Sequence, residues 1–175
     1  MKYLASFVRK DLFFDFCLPE LISVCEMFKV PLKWDKNFSY DINNDPLLFI
    51  DIPDSPELAQ KICERAILTK NIIKVISSGL SYEELLSKVN IEEFLPESSS
   101  EETFKFEVDQ RGRVMSQDEK LDIIQKFHIF NFKGKVSLKA AKRVFIVIDN
   151  HHRGVKYFGK LIGGKSDGNK IFIII

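Results

Sequence analysis

Cysteine is scarce and unpatterned. Cys17, Cys25 and Cys63 are an odd number with no CxxC spacing, which disfavours both a disulfide framework and a zinc site. Reduced, mostly buried thiols fit better, and a reducing compartment, the cytoplasm, is the expected location. No purely apolar run exceeds five residues, against roughly 18 for a membrane-spanning helix. The opening MKYLASFVRKD lacks the apolar segment and cleavage site of a signal peptide, so no membrane partner is expected. The three histidines, His128, His151 and His152, show no HExxH-like spacing and give a metal site little support. No GxGxxG after a strand and no GxxxxGK[ST] loop is expected. No Ser, Cys, His or Asp has a nucleophile-elbow or triad context. A stand-alone enzyme is therefore the weakest reading.

What is present is an apolar, aromatic-rich chain. Hydrophobic residues make up 45% and phenylalanine alone contributes 16 positions, enough for a packed core and suited to small α+β units. Charge is uneven. Residues 1–102 carry 11 Lys and Arg against 18 Asp and Glu, a net of −7; residues 103–175 carry 15 against 7, a net of +8. A basic half of that size points to an acidic or nucleic-acid partner.

The first half alternates strand and helix patterns. KYLASFVRK reads as a strand. Leu21, Val24, Cys25 and Phe28 recur at helical spacing after Pro19, and Pro31 closes that helix. LKWDKNF is a weaker strand, YDINND a turn, and PLLFIDI an apolar strand. Ser55 and Pro56 open a second helix, and NIIKVIS is a fourth strand. The order βαββαβ predicts a ferredoxin-like four-stranded antiparallel sheet with two helices on one face. Ser81 and Glu84 suggest a capping box for a short helix, and PESSSEE reads as an exposed linker.

In the second half TFKFEVD alternates as a strand. QRGRVM is a basic turn around Gly112, and Ser116 with Glu119 opens a helix with Leu121, Ile124 and Phe127 on its buried face. GKVSLK and RVFIVID are expected strands, HHRG a turn, and VKYFGKLIGG a strand returning as a hairpin. The expected domains are a ferredoxin-like unit at 1–95 and a small α/β unit at 103–163. Residues 164–175 would be a truncated or divergent tail, because five apolar residues end the chain with no polar face. GKLIGGKSDG is glycine-rich and basic; a phosphate cradle is conceivable, but without a following helix a turn is the better reading.

The candidate site is a set of cations: Arg111, Arg113, Lys133, Lys135, Lys139, Lys142, Arg143 and Lys160, with Arg153, Lys156 and Lys165 nearby. Singly, each is a solvated surface charge. Together, near glycine turns, they fit a surface that tracks a phosphate backbone. Phe132, Tyr157 and Phe158 are candidate stacking rings, although most phenylalanines should be core.

TFKFEVDQRGRVMSQDEKLDIIQKF followed by GKVSLKAAKRVFIVIDNHHRGVKYFGKLIGG resembles a THUMP domain, the RNA-binding module of several tRNA-modifying enzymes. MKYLASFVRKDLFFDFCLPELISVCEMFKVPL and FIDIPDSPELAQKICERAILTKNIIKVISSGLSYEELL are similar to the N-terminal region of eukaryotic tRNA guanosine-10 N2-methyltransferase catalytic subunits. The resemblance runs over most of residues 1–163. It implies tRNA binding as the substrate-recognition part of such an enzyme, with the THUMP segment on the acceptor end. It also implies that catalysis lies elsewhere, in a Rossmann-like domain with S-adenosylmethionine, an Asp/Asn-Pro-Pro-Tyr type motif and a small zinc-binding activator subunit. This chain itself would hold no cofactor. One departure stands out: where the family has KVDLKNPD, residues 135–142 read KVSLKAAK. An alternative reading is a protein-interaction module that uses the acidic first half, with incidental RNA contact.

Overall fold

The computed structural model of the chain describes residues 2–8, 14–35 and 46–164. The expected turn at 40–45 and the tail beyond Gly164 lie outside them. The fold is α+β. The described residues divide into two compact units, one running to Lys74 and taking in the chain from Leu161, the other Val75–Lys160.

The first unit runs β1 (Tyr3–Phe7), α1 (Cys17–Met27, after a 3-10 turn at Phe14–Phe16), β2 (Lys33–Trp34), β3 (Leu47–Asp51), α2 (Pro56–Arg65) and the first half of β4 (Thr69–Gly79). The strand order is β2-β3-β1-β4, with every neighbour antiparallel and Ala5 opposite both Leu48 and Ile72. This is the ferredoxin-like βαββαβ arrangement expected from the sequence.

Alternation explains the layering. Tyr3, Ala5 and Phe7 share one face of β1 and pack with Leu48, Ile50 and Ile72 under both helices, because successive strand residues point to opposite faces. Leu21, Val24 and Cys25 from α1 and Ala59, Ile62 and Cys63 from α2 complete that core. All three cysteines are buried in it, and burial pushes the Cys25 thiol up to about 11. Ser55 caps α2 by accepting the Leu58 N–H. The Glu20 carboxylate accepts the N–H groups of Ile67, Leu68 and Thr69, at 2.6, 2.8 and 3.1 Å, and so fixes the entry to β4.

The second unit contains the rest of β4, α3 (Tyr82–Ser87), α4 (Ile91–Ser99), β5 (Phe104–Arg111), α5 (Gln117–Gln125, continued by a 3-10 turn at Lys126–Phe130), β6 (Arg143–Asn150) and the start of β7 (Val155–Gly164), whose last residues from Leu161 belong to the first unit. β5 pairs parallel to β6 from Phe104↔Arg143 to Arg111↔Asn150, and β6 returns antiparallel into β7. The core is aromatic. Phe94, Phe106, Phe127, Phe130 and Phe145 surround Phe158, with ring centroids at 4.5 to 6.4 Å.

Three local expectations are corrected. The stretch read as a linker is largely helix: Asn90 caps α4 through the Glu92 and Glu93 N–H groups, and Phe94 anchors it in the aromatic core. GKVSLK is not a strand. It makes one bridge, Phe104↔Val136, because the chain is turned away by its own side-chain bonds. The buried face of α5 is Ile123, Ile124 and Phe127, with Leu121 only half-buried.

Candidate nucleic-acid interface

The lysines expected to meet an anion sit on the connection between the 3-10 turn at Lys126–Phe130 and β6. Asn131 takes a left-handed φ of 48° to leave that turn, a conformation Asn tolerates well. The connection is then pinned to the start of β5. Lys133 N–H donates to Ser98 O at 3.0 Å, Phe104 N–H to Lys135 O at 3.0 Å and Ser137 N–H to Phe104 O at 2.9 Å. The N–H groups of Lys142 and Arg143 both reach Thr103 O at 3.1 Å. Thr103 Oγ1 donates to Ala140 O at 3.2 Å.

The Ala140-Ala141 departure is bridged locally. Ser137 Oγ accepts the Ala140 N–H at 3.3 Å, the self-bonded turn that Ser and Asp both make. Ser137 thus forms this turn without adding a charge.

Lys133, Lys135, Lys139 and Lys142 are exposed on this connection. Lys142 lies 3.6 Å from the Glu102 carboxylate, both side chains being well exposed, so that pair is weak. Lys133, Lys135 and Lys139 make no ion pair among the described residues.

The other sequence-predicted cations are placed differently. Arg143 is 4% exposed. Its guanidinium donates to the main-chain carbonyls of Glu97, Ser100 (3.0 Å) and Glu102 (2.5 Å). Lys160 is half-buried and pairs with Glu97 at 2.6 Å. Arg111 is 3% exposed and bonds the Asp109 carboxylate at 2.7 Å. Arg113 pairs with Glu119 at 3.0 Å and lies 3.9 Å from buried Asp149.

Arg111 and Arg113 belong to the far end of β5. Eight residues at about 3.3 Å each put that end roughly 23 Å from Phe104, so the structure does not bring them to the lysines. Asp149 is the hub of that far end. Tyr82 Oη donates to it at 2.7 Å and Lys156 lies 3.6 Å away. Burial first, and then this carboxylate, push the Tyr82 phenol well above its ordinary range.

Several positions that shape this connection escaped sequence reasoning. Gly134 is one: a Cβ there would be driven into the Glu102 carbonyl oxygen and lie 2.8 Å from Arg143 Nη2. The Lys-Gly-Lys string was the available signal, whereas the contact itself is long-range. Thr103 is another, a single residue that ties down the Ala140 to Arg143 end of the connection. Of the candidate stacking rings, Tyr157 and Phe158 are buried, which removes them from base contact, and Phe132 is stacked 4.9 Å from Phe104.

The string Gly159 to Ser166 fits the GxxxxGKS spacing of a P-loop, yet Val155–Gly164 is strand. A phosphate-cradling loop needs those residues between a strand and a helix, so the cradle reading fails for the described part. Gly163 instead lets β7 approach α2, since a Cβ there would strike the Ala59 carbonyl.

Among the described residues no cluster of three or more His, Cys, Asp or Glu is arranged to hold a metal. No helix is long and apolar enough to cross a membrane.

Comparison with known proteins places this geometry. The family model described as Tmrp11 THUMP N-terminal domain matches residues 1–161. The tRNA (guanine(10)-N(2))-methyltransferase of Homo sapiens is 27% identical over 153 residues, covering 86% of this chain and 32% of that protein. The tRNA (guanine(10)-N(2))-methyltransferase of Saccharomyces cerevisiae is 27% identical over 155 residues, covering 86% and 34%. The chain thus spans about a third of the length of these curated relatives. Among solved structures, TrmN from Thermus thermophilus superposes with a TM-score of 0.55 at 16% identity, over 94% of this chain and 46% of that one. That likeness establishes the shared fold.

Proposed function

The chain belongs to the Tmrp11 THUMP N-terminal domain family, and from that premise we propose that it binds tRNA as the substrate-recognition part of a tRNA guanosine-10 N2-methyltransferase. The observation that carries this reading is the pinned connection bearing Lys133, Lys135, Lys139 and Lys142. Its backbone is held by hydrogen bonds before any ligand arrives. Cations on an ordered backbone can meet phosphates without first ordering the chain that carries them. These four lysines are the proposed phosphate contacts.

Methyl transfer from S-adenosylmethionine to the guanosine N2 amine is assigned to the further two thirds of the relatives' length. The small zinc-binding activator subunit would act with that part. The three buried cysteines support a reducing location such as the cytoplasm.

Fluorescence anisotropy with labelled tRNA tests the reading. With three to four phosphate contacts the logarithmic salt slope is about −3, so affinity should fall roughly 50- to 100-fold between 50 and 200 mM salt. Replacing Lys133, Lys135, Lys139 and Lys142 together by Ala should abolish most of that slope. Binding that is absent, or unaffected by the fourfold replacement, refutes it.

A further inference from the structure

Arg143 was expected to touch RNA, yet its guanidinium is enclosed. It donates to three main-chain carbonyls, those of Glu97, Ser100 and Glu102, and its Cζ lies 5.8 Å from the centre of the Phe104 ring. Its carboxylate neighbour is distant, with Glu102 Oε2 4.0 Å from Nε. The guanidinium fork is therefore spent on backbone shape rather than on charge pairing. The segment it gathers is the one to which the lysine connection is tied. Ser98 O takes the Lys133 N–H, and Phe104 N–H gives to Lys135 O. Between those two bonds the chain crosses the guanidinium at Gly134, where a Cβ would collide with both Glu102 O and Arg143 Nη2.

We infer that Arg143 and Gly134 form a clamp that positions Lys133 and Lys135 for a phosphodiester backbone. Arg143 is a positioning residue and makes no contact with the RNA itself. The inference deepens the RNA-binding reading and rests on it.

It separates from its rivals by the salt slope. A direct phosphate contact by Arg143 would cost about one unit of slope on removal, and Arg143→Lys would keep it. A purely stabilising Arg143 would lower the melting temperature and leave the slope of the folded protein alone. A clamp predicts a third pattern. Gly134→Ala, which changes no charge, and Arg143→Lys, which keeps the charge but cannot reach three carbonyls, should each lower the slope by about two, because Lys133 and Lys135 both lose their seat. Lys135→Ala should lower it by about one.

The measurement is tRNA anisotropy against salt, below the melting temperature of each variant. Glu20→Gln in the other unit serves as a destabilised control that keeps the full slope. Unchanged slopes in both Gly134→Ala and Arg143→Lys overturn the inference. Should the unsubstituted chain fail to bind tRNA, the functional reading falls and the positioning role falls with it. Amide exchange then still decides the clamp's geometry. Gly134→Ala and Arg143→Lys should expose the Phe104, Ser137 and Lys142 amides at least tenfold more while Ile146 and Val147 in β6 stay protected. Unchanged exchange refutes the clamp as well.

Discussion

Glu20 offers the clearest quantitative test of how the first unit is held. Its two carboxylate oxygens take three successive backbone N–H groups at the entry to β4. Oε1 takes Ile67, and Oε2 takes Leu68 and Thr69. In Glu20→Gln the amide oxygen can keep the Leu68 and Thr69 donors, but its NH₂ then faces the Ile67 N–H, donor against donor. Hydrogen bonds to a charged group contribute about 1.5–3 kcal/mol each and neutral ones about 0.5–1.5 kcal/mol. The Ile67 amide is exposed, so water replaces that bond at little cost. The two part-buried bonds each weaken by about 1–1.5 kcal/mol, for a total near 2–3 kcal/mol. Glu20→Ala loses all three and should cost about 3–4 kcal/mol. For a chain of this size that corresponds to a fall in Tm of roughly 5–12 °C. Urea unfolding followed by circular dichroism reads the change as a shift in midpoint at constant slope. Glu57→Gln, which weakens an exposed helical pair with Lys61 and removes a first-turn charge, should move the midpoint much less than Glu20→Gln does. A Glu20→Gln midpoint equal to the unsubstituted one would show that water serves these amides as well as the carboxylate does.

Two further outcomes follow from other parts of the chain. The Ala141 N–H makes no hydrogen bond among the described residues, so Ala141→Pro should stabilise by about 0.5–1 kcal/mol. Its tRNA affinity should be unchanged, and Ala140→Pro, which removes the donor to Ser137 Oγ, should instead destabilise. At alkaline pH the chain should weaken: burial raises Cys25 from 9.0 to about 11 and Tyr3 from 10.0 to about 12, so the folded state keeps protons that the unfolded state releases. That stabilising difference is complete below pH 9 and is lost as pH rises through 11 to 12. Chemical denaturation at pH 8, 10 and 11.5 checks the trend, and a midpoint that does not fall across that range contradicts it.

The sequence disclosed what local chemistry decides. Ser55, Ser81 and Ser116 each read as a helix N-cap, and each accepts the expected backbone N–H. The βαββαβ order followed from strand alternation and helical spacing, because those periods depend on which face meets the core. What stayed hidden depends on distant partners. α4 was masked by its Pro, Ser and Glu content, and its helicity comes from an Asn90 cap and from Phe94 seated among rings of β6, β7 and the connection. The burial of Arg143 could not be read because its acceptors are main-chain carbonyls 41 to 46 residues earlier. A carbonyl carries no sequence signature.

The adjacency of Lys142 and Arg143 to an apolar strand follows from these placements. Phe145 and Val147, the inward residues of β6, are fully buried, and burying a side chain of that size is worth about 1.5–3 kcal/mol. The first residue of such a strand cannot drift, so whatever it holds inherits its rigidity. Arg143 passes that rigidity back through Glu102 O and Gly134 to the lysines. Composition alone overstates the field they produce. The net of +8 in residues 103–175 is drawn down at Lys160 by Glu97, which lies outside that stretch, and Arg113 is already spent on Glu119 within it. Lys156 is likewise drawn on by Asp149. What remains is a few cations on a connection pinned by hydrogen bonds. Specificity for an RNA shape can come from the positions of so few charges, because a misplaced backbone would leave them unmatched while a matched one needs no reordering of the chain.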